Sequence, residues 1–265
     1  MIASFDSFLE YMDIPDTCKL GKPIYKKMFQ ESGVLDASDK AALKKDIEKI
    51  RWLYTLKPST INIAPYQDKE REYPEVAILH VEVTNPNRIK RIAHFINRSI
   101  PYPLIILFTQ EQDGNESVAI AVADKRINQA DKEKWVIEEN LVTDWITFIK
   151  REELANKSSI QQAFLDSLKF SELPFSNFWQ FYQAIVDRVV AFNCAELTDQ
   201  FKLGGKTKAS SANRLATLQS IEKLKLEKSN IANKLKKEKQ MGRQVELNTQ
   251  VKKINDKIAQ LTRNL

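Results

Sequence analysis

The residues that could do chemistry are few and poorly spaced for it. The chain has two histidines, and His80 stands two positions before Glu82 inside an apolar run, which puts both side chains on one face of a strand. Zinc deaminases use a His-x-Glu element, but only with paired cysteine ligands further along. The two cysteines here, Cys18 and Cys194, are far apart and give neither a zinc pattern nor a disulfide framework. His80 and Glu82 therefore read as a hydrogen-bonded pair in or near the core. A restriction-type nuclease core needs one strand carboxylate and a Glu-x-Lys on the next strand, so that two carboxylates hold Mg²⁺ and the lysine steadies the attacking water. Thr84 stands where that lysine should follow Glu82, and Asp124 with Lys125 lacks the spacing. A divergent metal-dependent nuclease centred on Glu82 and Asp124 is kept as the alternative reading. The run Gly204, Gly205, Lys206, Thr207 resembles the end of a phosphate loop, but Gln200 occupies the position of the required first glycine and no buried strand precedes it. That run reads as a linker. No catalytic residue, metal ligand or cofactor follows from the sequence.

Two clusters suit binding better than catalysis. Lys125, Arg126, Asn128, Gln129, Lys132 and Lys134 form the densest polar set beside the apolar strands. Two cations and two amides at a strand end could grip a phosphate or a base edge. The other reading is a solvated connection in which Asp131 and Glu133 neutralise the lysines. The second cluster is the tail. Residues 206–265 hold 15 of the 41 Lys and Arg but 5 of the 35 Asp and Glu, leaving 26 basic against 30 acidic residues in the first 205. A mildly acidic body thus carries a basic appendage suited to nucleic acid or an acidic partner. Within it Lys234, Lys236, Lys237, Lys239 and Arg243 crowd toward one turn.

These clusters need elements to position them. Apolar runs at 76–83, 104–108 and 118–123 and a short one at 135–137 predict strands, and an amphipathic helix with Asn85 as its cap joins the first two. Ile89, Ile92, Ala93 and Ile96 should face inward, with Arg88, Lys90, Arg91 and Arg98 outward. Strand, helix, strand predicts a parallel pair with a right-handed crossover, whereas Asp113 and Gly114 predict an antiparallel hairpin. The sheet should be mixed. Leu43, Ile47, Ile50, Leu53, Tyr54 and Leu56 recur at helical spacing, so one long helix is expected from Ser38 to Lys57, with Trp52 anchoring it. Residues 61–63 suggest an edge strand, 65–73 a surface loop, and 160–168 and 175–192 two further helices. Beyond the linker, Ile221, Leu224, Ile231 and Leu235, broken only by Lys228, then Leu247, Val251, Ile254, Ile258, Leu261 and Leu265, keep coiled-coil spacing around a turn near Gly242. An antiparallel hairpin is preferred to a continuous rod that oligomerises through these helices. The expected architecture is α/β (α+β): a body over 1–203 with a mixed β-sheet flanked by helices, then a linker and basic helical hairpin or coiled coil over 204–265. No run approaches the roughly 18 apolar residues of a membrane span, and no signal peptide is evident, so a soluble cytoplasmic protein is expected.

Several stretches resemble a known bacterial group: 45–54, 57–63, 100–103, the run from Lys125 to Trp135, the helix around Ile185 to Arg188, and the basic tail. Together they look like the family catalogued as domain of unknown function 4391, across nearly the whole chain. That family supplies no established catalytic residues to carry over. Its members are encoded in bacterial mobile and defence regions, often near helicases and DNA methyltransferases. The resemblance implies a non-catalytic accessory subunit of an antiphage or restriction-like complex, with such an enzyme as protein partner and with possible contact to the DNA backbone.

Overall fold

The structure is a computed structural model that describes residues 2, 4–128, 135–148, 155–204, 208–263 and 265. Its elements in order are α1 (Phe5–Met12), β1 (Lys19–Pro23), α2 (Lys26–Glu31), α3 (Ala37–Lys45), β2 (Ile47–Leu56), β3 (Tyr66–Gln67), β4 (Glu72–Tyr73), β5 (Val76–Val83), α4 (Ile89–Ser99), β6 (Leu104–Gln112), β7 (Asn115–Ile127), β8 (Trp135–Val142), β9 (Ile146–Thr147), α5 (Ala155–Ser167), α6 (Phe178–Thr198), α7 (Lys208–Leu235) and α8 (Met241–Thr262). The chain divides into two compact units, residues 1–189 and 190–265, and the division falls inside α6.

The first unit is built on a mixed seven-stranded sheet of order β1-β2-β5-β6-β7-β8, with β9 also pairing to β7. β5 and β6 run parallel, as the intervening α4 requires, and the other pairings are antiparallel. Asp113 and Gly114 both have positive φ, 52° and 75°, the conformation of a two-residue hairpin turn that glycine and aspartate tolerate. Alternate residues of β5 serve two cores. Ala77, Leu79, Val81 and Val83 join Ile92, Phe95 and Ile96 of α4 beneath one face. On the other face the Tyr182 hydroxyl of α6 accepts from Ala123 N–H at 2.8 Å and donates toward Leu104 and Ala123 carbonyls, tying the helix to two strands at once. At the sheet's first edge all of β1 is exposed, with a register irregularity between Lys19 and Lys22 and Pro23 at its end.

The long helix expected over 38–57 is replaced by a short helix and a strand. α3 carries a capping box between Asp36 and Asp39 and stops at Lys45, and β2 then pairs along β5 from Ile47↔Val83 to Leu56↔Val76. Register shifts at Ile47/Lys49 and Trp52/Tyr54 explain the misreading. Each bulge adds a residue, stretching the inward spacing from two toward three, so that buried Ile47 and Ile50 mimic helical periodicity. Trp52 belongs to that strand and donates its indole N–H to Tyr54 O and Thr55 Oγ1. Residues 61–63 form no strand, although neighbouring Ala64 bridges to Asn177. Residues 65–73 contain the small β3–β4 hairpin where a loop was expected.

In the second unit α7 and α8 pack together across a five-residue turn, 236–240. The apolar stripe turns inward as its spacing predicts: Ile221, Ile231 and Ile254 are buried, and Leu224, Leu235, Leu247, Val251 and Ile258 are half-buried. Among the described residues, no helix is long and apolar enough to cross a membrane.

Candidate interaction surface

The strand-end cluster is placed by β7, where a register shift separates Asp124 from Lys125 and turns them to different surroundings. Lys125 goes inward. It is 1% exposed, and its Nζ donates to Ile100 O at 2.7 Å and Tyr102 O at 2.6 Å. Burial pulls its ammonium down to about 7. The expectation that Lys125 offers its charge to a surface ligand is therefore corrected: the amine fastens the loop between α4 and β6. Arg126 is partly exposed and pairs through Nε with Glu138 of β8. Asn128 is half-buried just beyond the strand. Gln129, Lys132 and Lys134 lie outside the described residues.

Asp124 faces a knot that sequence reasoning did not find. Arg71 of the β3–β4 connection reaches Asp124 at 2.9 and 3.3 Å and Glu138 at 3.2 Å, while its guanidinium lies 4.8 Å from the centre of the Trp179 ring. The hydroxyl of Tyr73 adds a bond to Asp124 Oδ1 at 3.2 Å. The Asp124 bond is the main cause that holds the Arg71 pKa above its ordinary value. The only sequence signal was a lone arginine in a polar stretch.

The alternative nuclease pair does not converge. Glu82 lies opposite Thr109 on β6, and Thr109 lies opposite Val118 on β7, so Asp124 is six residues further along that strand. At about 3.3 Å per residue this separates the two carboxylates by roughly 20 Å, too far to share a metal. Glu82 is held by Lys49 at 3.3 Å and approached by Arg51 at 3.9 Å. Its expected partner His80 bonds instead to Thr109 Oγ1 at 2.7 Å and stacks on Phe5 at 4.2 Å. Burial lowers His80 to about 4, leaving a neutral ring. The two side chains do share a face, as expected, and both line a polar cleft of about 300 Å³ beside Arg51, Gln110 and Glu116. Among the described residues no three His, Cys, Asp or Glu side chains gather as a metal would need.

At the hairpin tip the sequence-predicted cations do come together. Lys234 ends α7, Lys236, Lys237 and Lys239 occupy the turn, and Arg243 lies in the first turn of α8. All five are exposed, and none closes a salt bridge among the described residues. The one acid of the turn is otherwise engaged: Glu238 Oε1 accepts the backbone N–H groups of Lys239 and Gln240, each at 2.9 Å, and these bonds depress its pKa. Gln244 donates to Glu238 O at 2.7 Å, which fixes the turn from the other side. Lys234, Lys237 and Arg243 line a groove of about 410 Å³ together with Glu238, Glu246 and Leu247. The tip is thus a held turn presenting positive charge to solvent, with a concave side.

Neither a curated protein nor a solved structure matches the chain. A family model does, over residues 12–258, which takes in both the sheet and the helical pair. The chain belongs to the family described as Domain of unknown function (DUF4391).

Proposed function

We propose that this protein is a non-catalytic accessory subunit of a bacterial antiphage or restriction-like defence complex, joined to DNA, or to a DNA-processing partner such as a helicase or methyltransferase, through the basic tip of its helical hairpin. One observation carries the reading: Lys234, Lys236, Lys237, Lys239 and Arg243 stand exposed around a single turn, and none closes a salt bridge among the described residues. Crowding like charges is unfavourable, and a complementary anionic surface relieves it. Of the strand-end cluster, Lys125 is buried and Arg126 is paired with Glu138, so neither of these two offers an unengaged charge. The separation of Glu82 from Asp124 weighs against the metal-dependent nuclease.

The test is charge reversal of all five tip cations, followed by pull-down from the native host and by a defence assay. Loss of both complex formation and protection, with the fold intact, is expected. Unchanged complex formation and protection would overturn the reading. Cleavage of DNA by the purified chain with Mg²⁺ or Mn²⁺, abolished by Glu82→Ala, would replace it with the nuclease.

A further inference from the structure

Not all the tip cations stand in equivalent places. Lys234, Lys237 and Arg243 line the groove, whereas Lys236 and Lys239 are outside its lining. Arg243 lies in the first turn of α8, where a helix repels positive charge. No acidic residue occupies that turn, and Gln240 at its head gives no side-chain cap. The leading amides of α8 therefore add to the positive field of the groove. Glu238 spends its carboxylate on the turn itself. Glu246 and Glu238, whose charge interacts with Arg243, are the two acids of the lining, set against three cations. The groove contains no aromatic ring on which an unpaired base could stack.

We infer that Lys234, Lys237 and Arg243 form a phosphate-binding groove for the backbone of duplex DNA. The inference rests on the proposed reading of the tip and deepens it by naming the ligand and separating three cations from the other two. Phosphodiester oxygens take the Arg243 fork and the two ammonium groups. The lining has nothing placed to distinguish bases, so binding is independent of sequence.

The experiment measures binding of the full chain to a short fluorescent random-sequence duplex across a salt series. Neutralising three phosphates gives a log–log slope of about −2.7, or roughly a 40-fold loss of affinity between about 50 and 200 mM salt. Lys234→Ala/Lys237→Ala/Arg243→Ala should lose at least about tenfold at low salt and flatten the slope by two to three units. Lys236→Ala/Lys239→Ala, which also removes charge from the tip, should change affinity by less than about threefold, and Glu246→Gln should tighten binding. All these side chains are exposed, so unaltered helicity and elution volume serve as the folding control. Loss in simple proportion to the number of cations removed from either set would overturn the groove in favour of diffuse attraction. Absence of duplex binding at low salt, or preference for the same strand unpaired, would overturn it as well. Those failures are distinct from failure of the accessory role, which is read from complex formation and defence.

Discussion

Lys125 and Lys237 carry the same ammonium group, yet one lies beneath the sheet with 1% of its surface exposed and the other stands in water at a turn. Both occur in dense polar runs that look alike as sequence. Their backbones decide the difference. A strand sends successive side chains to opposite faces, so a lysine next to a solvated arginine is aimed at the interior, where two carbonyls of an adjacent loop receive it. The turn between α7 and α8 has no interior side to offer, and each of its lysines stays hydrated. Charge density in sequence therefore indicates a binding surface only after the element beneath it is known.

The strongest way to break the comparison is at Lys125. Lys125→Ala removes both loop bonds and leaves a void, and should lower unfolding stability by about 3 kcal/mol in denaturant titration. Lys125→Met fills the space and should recover part of the loss. The amine also has a pH consequence. Its folded pKa, about 7, lies below the ordinary value of 10.5, so between these the unfolded chain binds more protons and wild-type stability should rise with pH. Lys125→Met should flatten that rise; a persistent rise would place the titration elsewhere.

Next is the Arg71 knot, the nearest neighbour of that cluster. Asp124→Ala removes two bonds from a largely covered guanidinium, leaving it Glu138 and Glu70, and should cost about 2–3 kcal/mol, observed as a lower urea midpoint with DNA binding at the tip unchanged. An Asp124→Ala protein as stable as wild type would reduce the knot to a surface ion pair.

His80 gives an effect confined to acid. Its ring is held near 4 against an ordinary 6.5, so the unfolded chain takes up a proton first as pH falls. Stability from this site should decline from about pH 6.5 to pH 4 by about 3 kcal/mol, and His80→Gln should remove that decline. Equal acid sensitivity in both proteins would show that the ring is not kept neutral by the fold.

The smallest change in stability is expected at the tip. Reversing Lys236, Lys237, Lys239 and Arg243 should move the unfolding free energy by less than about 0.5 kcal/mol. If instead the helical pair melts, these side chains hold the turn together and the contrast with Lys125 fails.

Much of the fold was legible because its cues were local. Asp113 and Gly114 announced their hairpin, and the 3–4 spacing of the tail's apolar residues the packed helical pair; Asn85, expected to cap α4, caps instead the short 3-10 turn at Pro86–Arg88 that leads into it. β2 was not legible, since its two bulges made a strand repeat like a helix, and only pairing with β5 resolves the ambiguity. The tip cations were readable because a turn flanked by long helices leaves little room for burial. Lys125 was not, because its inward direction depends on strand phase and on carbonyls more than twenty residues earlier in the chain. Arg71 was missed for the same reason: Asp124 and Trp179 meet it only after the sheet has assembled.

β1 has a consequence for how molecules of this protein behave in company. A sheet edge ordinarily invites a foreign strand to continue the ladder, and long ladders become fibrils. This edge carries an irregular register, lysines at both ends of that irregularity, and a proline with no N–H to donate. A crowded neighbour finds neither an evenly spaced row of hydrogen-bonding groups nor a neutral surface to lie against. This margin of the sheet thus discourages a second copy from continuing the ladder at β1.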